Sequence, residues 1–169
     1  TLGEMATIRW AGGSNPSPLP AYGPTGIEIV VDGFNMAYSY DFVHRHEHHG
    51  DLVAPLESAG LRAVPFSIPT GGALTRIFEA NGLTVDAMGV DHFPVDPAVG
   101  YLFRYKGRSV LITGDTDKSS VIETHAKGVD LLVHEALAPN LVMMMNAAAA
   151  KNGNAVMDSE CTGQTALRI

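Results

Sequence analysis

The amino-acid sequence predicts an α/β protein with mixed sheets, and three observations predict it. YLFRY (101–105) and RSVLIT (108–113) flank Lys106-Gly107, which reads as a hairpin with glycine at a tight turn. A polar, helix-capable segment then separates RSVLIT from VDLLV (129–133), and strand–helix–strand of this length implies parallel strands. Upstream, a long run after Gly23-Pro24-Thr25-Gly26 carries apolar residues at mixed helical spacing.

Composition agrees with a folded chain. Hydrophobic residues make up 46% of the 169 and charged residues 17%, a balance that buries a core. At this length the chain is read as a single domain, 1–169. The net charge of −7 provides no basic patch for a nucleic acid. Cys161 stands alone, so neither a disulfide framework nor a cysteine-based zinc site is expected. Residues 136–150 are the longest apolar stretch, but Pro139, Asn140 and Asn146 break it, so no membrane span is expected. The chain is expected to be soluble. It opens on Thr1 without a signal pattern, and with the true start expected upstream the compartment stays open.

Taken in order, residues 1–10 show no clear period, and 11–18 (AGGSNPSP) form a loop by composition. Residues 19–22 suit a short strand. Residues 27–46 read as a helix with Thr25 as its N-cap. Segments 61–68, 74–79 and 83–90 read as strands. In the hairpin, Tyr105 facing Arg108 sets Tyr101 opposite Ile112 and Ala98 opposite Asp115. Pro94 and Pro97 stiffen the loop between His92 and Ala98, so the hairpin carries Asp115 back toward His92. Asp117 is expected to cap a helix over 118–127 that Gly128 ends. Residues 129–133 then form a short buried strand. Parallel strands end on the same edge, so Asp115 and His134-Glu135 should share one.

These strand ends carry the residues suited to chemistry. A carboxylate at Asp115 is costly if buried unless it is paired or metal-bound, and it reads equally as a metal ligand or a helix cap. His92 reads as a hydrogen-bonded histidine or a ligand, and its expected approach to Asp115 favours the ligand. His134 and Glu135 would face opposite sides of an extended strand, so one of them suits an orienting role. The alternative is a strand-end pair that holds the next helix. His44, His46, His48 and His49 (HRHEHH) imitate H-x-H-x-D-H, with His48 at the aspartate position. The residues before them look like the end of a helix, on which only His44 and His48 share a face, so a solvated helix end is expected. His125 is expected to be exposed.

VDHFPVDPAVGY, SVLITGDT and DLLVHEA together resemble the metallo-β-lactamase-fold hydrolases, in the branch holding ribonuclease Z-like and arylsulfatase-like enzymes. Tyr22–Gly26 (YGPTG) is similar to that branch's turn into a helix. The resemblance runs over roughly residues 19–138. It implies part of an αββα sandwich and a dinuclear centre, usually of two zinc ions. It also implies His92 as a metal ligand, Asp115 as the metal-bridging carboxylate, and His134 and Glu135 as catalytic residues assisting proton transfer. Two departures stand out. No H-x-H-x-D-H precedes Tyr22, and no histidine follows His134. The chain is therefore expected to be incomplete or divergent, with fewer metals or none bound and a divergent tail over 153–169.

The activity implied is metal-dependent hydrolysis of a phosphate, sulfate or carboxylic ester, weak or absent in this chain alone. The alternative is a non-catalytic or truncated remnant of the fold, and a more distant one is a histidine-rich metal-binding module. The partners expected are a small-molecule ester, no membrane, and a second copy of the chain as an open alternative. Nucleic acid is not expected. No basic arm lies between Tyr22 and His92, Leu137 stands where the RNA-processing relatives carry threonine, and the charge is acidic.

Overall fold

The computed structural model describes residues 1–12, 15–136 and 138–151. The tail over 153–169 and Leu137 lie outside the described residues. The architecture is α/β with two sheets, as the sequence predicts. Its contacts fall into two compact units, Thr1–Ser67 and the residues from Ile68 onward.

The first unit is a parallel βαβ arrangement with an added helix. Helix α1 (Leu2–Ala11) forms where the sequence shows no period, because tertiary contacts hold it. Trp10 is buried, donates its indole N–H to the Pro55 carbonyl at 2.8 Å, and meets Phe42 edge-on. Gly3 lies so close to the next helix that a Cβ there would stand 2.6–2.7 Å from the rings of Tyr38 and Phe34. Strand β1 (Leu19–Pro24) leads into helix α2 (Ile27–His49). The N-cap of α2 is Gly26, in a left-handed conformation, rather than Thr25. Strand β2 (Leu61–Phe66) lies parallel to β1, with Leu19 opposite Leu61. Asn35 on α2 accepts from the Leu61 N–H and donates to its carbonyl, both at 2.9 Å, and so fixes where β2 begins. Ala6, Ala21, Val31 and Leu61 form the core of this unit.

The second unit is one five-stranded sheet. Its strands are β3 (Thr75–Ala80), β4 (Leu83–Gly89), β5 (Val99–Tyr105), β6 (Arg108–Ile112) and β7 (Leu131–Val133), side by side in that order. Helix α3 (Ser120–His125) crosses from β6 to β7, and helix α4 (Pro139–Lys151) follows. The first three pairings are antiparallel and β6–β7 is parallel. Tyr105 pairs with Arg108 and Tyr101 with Ile112, as the turn predicts. Lys106 and Gly107 have φ of 47° and 76°, the positive pair that a two-residue hairpin turn of this twist requires. Met88, Leu102 and Leu111 of the sheet bury against Ile122 and Ala126. On β4, the buried Asp86 is neutralised by Arg76 at 2.5 Å and Arg104 at 2.6 Å.

Four local expectations are corrected. Asp117 does not cap α3; Ser119 stands at the N-cap, and the helix covers Ser120–His125 only. Strand β7 is an edge strand rather than a buried one. Leu132 packs on the core, while Leu131 and Val133 are exposed. The β5–β6 ladder ends at Tyr101–Ile112, short of the Ala98–Asp115 pair. His125 is half-buried, with Nε2 2.9 Å from the Gly72 carbonyl oxygen. None of the described helices is long and apolar enough to cross a membrane.

Candidate functional site

Strand directions build the site. Strands β4 and β6 are each antiparallel to β5, so they run the same way, and β7 runs parallel to β6. All three therefore end on one edge of the sheet. There β4 leads to His92, β6 to Asp115 and β7 to His134-Glu135. The edge of a sheet where parallel strands end is where α/β folds gather functional groups.

His92 and Asp115 meet as their strand ends predict, with Nε2 to Oδ2 at 3.9 Å. Their loops are held on both sides. Val90 N–H donates to the Ala98 carbonyl at 3.1 Å and Val95 N–H to the His92 carbonyl at 2.7 Å, which closes the His92 loop into a tight turn. Asp117 N–H donates to the Asp91 carbonyl at 2.6 Å, tying the Asp115 loop to the His92 loop. Gly114, with φ of 66°, lets the chain turn out of β6, and a Cβ there would stand 3.1 Å from the Val99 carbonyl.

From the other side, His134 and Glu135 hold the same loop. Strand β7 ends at Val133, so the two side chains are released from strand alternation and both reach it. Glu135 Oε1 accepts from Thr116 N–H at 2.6 Å. His134 Nδ1 lies 2.8 Å from the Thr113 hydroxyl, which itself donates to the Gly114 carbonyl at 2.9 Å. One hydroxyl has one proton. With that proton on Gly114, Thr113 accepts from Nδ1–H, and His134 keeps a lone pair on Nε2. Thr113 and Thr116 are fully buried, and sequence reasoning overlooked both. The available signal was their position, since threonines flank Gly114-Asp115 at the end of a buried strand.

Asp115 differs from expectation in burial. Its side chain is 75% exposed, so the burial penalty expected at a buried strand end does not arise. An imidazole nitrogen and a carboxylate oxygen are suitable zinc donors. Two donors on one ion, each bonded at about 2.0–2.2 Å, stand no more than about 4.4 Å apart, and the observed pair falls within that reach. No group of three or more potential donors occurs among the described residues. The pair thus fits two positions of a metal centre, fewer than a zinc ion takes.

Among the described residues the histidine run forms no donor cluster of its own. It closes α2, and its members do not converge. His44 Nδ1 is 3.7 Å from exposed Glu47, His46 Nδ1 is 2.9 Å from the Ala54 carbonyl oxygen, and His48 meets His49 edge-on.

No protein-family model matches the chain. Over 145 residues, 83% of its length, it is 30% identical to a putative ribonuclease Z of Mycobacterium tuberculosis (strain CDC 1551 / Oshkosh) and spans 60% of that protein. It is 32% identical over 143 residues to a ribonuclease Z of Mycolicibacterium paratuberculosis, of which it spans 48%. The fold matches the crystal structure of human tRNase Z, short form, with a TM-score of 0.58 and 16% identity, covering 87% of this chain and 56% of that one. These relatives bear the name of an RNA-cleaving enzyme. That overturns the expectation of a small-molecule ester partner and of no nucleic acid. The expectation rested on net charge, which sums over the whole chain and does not describe the local surface that a nucleic acid would meet. In sequence and in fold alike, the chain is a ribonuclease Z-like protein of the metallo-β-lactamase fold.

Proposed function

We propose that this chain carries part of the catalytic centre of a metal-dependent hydrolase that cleaves RNA phosphodiesters. The observation that supports it is the approach of His92 and Asp115 to 3.9 Å beside His134 and Glu135 on one sheet edge. In this reading His92 and Asp115 would hold zinc, which would supply an activated water and offset charge on the phosphate. His134 takes or gives a proton at Nε2, held in that tautomer by Thr113. Glu135 positions: by accepting from Thr116 N–H it fixes the loop that presents Asp115.

A second reading has one observation in its favour. Two donors among the described residues are few for a tight centre, which suits a chain that holds the fold and turns over little. One experiment separates the two: single-turnover cleavage of an end-labelled RNA with the chain in excess, with zinc or with chelator. Zinc-dependent cleavage lost in both Asp115→Asn and His92→Ala supports the hydrolase. Cleavage that persists in both variants refutes the ligand assignment, and no cleavage beyond the metal-only control supports the non-catalytic reading.

A further inference from the structure

The turn that follows His92 carries an aromatic side chain that the metal pair does not use. Phe93 is 73% exposed and Val95 56% exposed, at the corner of the turn closed by the bond from Val95 N–H to the His92 carbonyl. Scattered exposed apolar residues are ordinary. The position of this one distinguishes it. Phe93 is bonded directly to His92, on a loop tied to the Asp115 loop through Asp91 and Asp117, so its backbone is held beside the pair. A ring on a held backbone costs little entropy to dock against.

Charge decides what the ring can meet. The loop over 90–98 contains no lysine or arginine, and Asp91 and Asp96 on it are exposed, as is Asp115 across from it. Such a surface repels a phosphate unless a cation intervenes. A nucleobase presents an uncharged π-face, and aromatic side chains bind unpaired RNA by stacking on it.

We infer that Phe93 is a stacking platform for an unpaired base of the RNA substrate next to the His92–Asp115 pair. The inference rests on the RNA reading proposed above. Phe93 acts as a positioning residue: it holds the nucleotide beside the bond to be cleaved and takes no part in the proton transfers.

The test uses the whole chain with zinc and a short unpaired RNA carrying 2-aminopurine, read by fluorescence and by anisotropy. Phe93→Ala is expected to weaken binding roughly five- to hundredfold, the range for losing one aromatic–base stack. Phe93→Trp is expected to keep the affinity and to show indole quenching when RNA binds, after subtraction of the signal from Trp10. An abasic nucleotide at the stacked position should weaken binding to the parent and leave Phe93→Ala unaffected. Binding by the parent that is unchanged in Phe93→Ala, with no quenching in Phe93→Trp, overturns the stacking role and leaves the RNA reading standing. Absence of RNA binding by the parent overturns both.

Discussion

Two residues test how the site is held. Thr113 is fully buried and serves both His134 and the Gly114 carbonyl. Thr113→Val keeps the shape and removes both bonds, so it should destabilise the chain by about 1–3 kcal/mol in urea unfolding, the usual cost of leaving buried polar groups without a partner. It should also let the His134 ring choose either tautomer, visible as a change in its nitrogen chemical shifts. Asp115 behaves oppositely. Its carboxylate is largely in water, so in chelator Asp115→Asn should change stability by no more than about 0.5 kcal/mol. With zinc added, the parent should gain stability through binding to the folded state, and the variant should not. Thermal unfolding with and without zinc checks both statements. A large loss in chelator would make Asp115 a structural acceptor rather than a ligand.

At the scale of elements, the β5–β6 hairpin and the β6–β7 pairing carry the site. Gly107 lies at φ of 76°, where a side chain is disfavoured, so Gly107→Ala should cost about 1–2 kcal/mol in the same measurement. Just before β7, Asp130 takes Arg108 Nη1 at 2.6 Å, Ser109 N–H at 2.8 Å and the Ser109 hydroxyl at 3.1 Å, pinning the start of β7 to the start of β6. The Arg108 guanidinium first, and the Ser109 donors after it, hold the Asp130 carboxyl below its ordinary value. A depressed carboxylate contributes stability above its unfolded pKa and loses it as pH falls through the folded one. Asp130→Asn should therefore melt lower than the parent at neutral pH, and the gap should close as pH drops below about 4. A gap that is constant across that range would assign the effect to packing instead of charge.

For the molecule as a whole, the charge balance predicts how RNA would be held under the proposed function. A chain of net charge −7 with few cations near its candidate site neutralises few phosphates. Binding of unpaired RNA should then show a shallow salt dependence, with a log–log slope no steeper than about −2, and should need a divalent cation. A steep slope without metal would reveal a basic RNA surface elsewhere on the chain. Such binding would also be insensitive to Phe93→Ala.

Local chemistry alone determined much of this protein. The hairpin register was legible because Lys106-Gly107 permits two positive φ values and side-chain alternation does the rest. The meeting of His92 with Asp115, and the end of β7 on the same edge as Asp115, followed from strand direction, a property that turn and crossover lengths dictate. Helix α2 and strands β1 to β4 were legible from periodicity. Other features needed the folded chain. Helix α1 packs through Gly3 and Trp10 on distant aromatic partners, which no local period announces. The parallel pairing of β1 with β2 joins segments separated by the whole of α2. The caps at Thr25 and Asp117 were misjudged because capping is one of several bonds those segments can make. At Gly26 a left-handed backbone prevailed, and after Asp117 the helix starts late enough that Ser119 stands at its N-cap. The buried threonines and the exposure of Asp115 were likewise decided in three dimensions. A side chain's solvent contact and hydrogen-bond partner depend on what packs beside it, and sequence spacing carries that information only within a turn or a single strand pair.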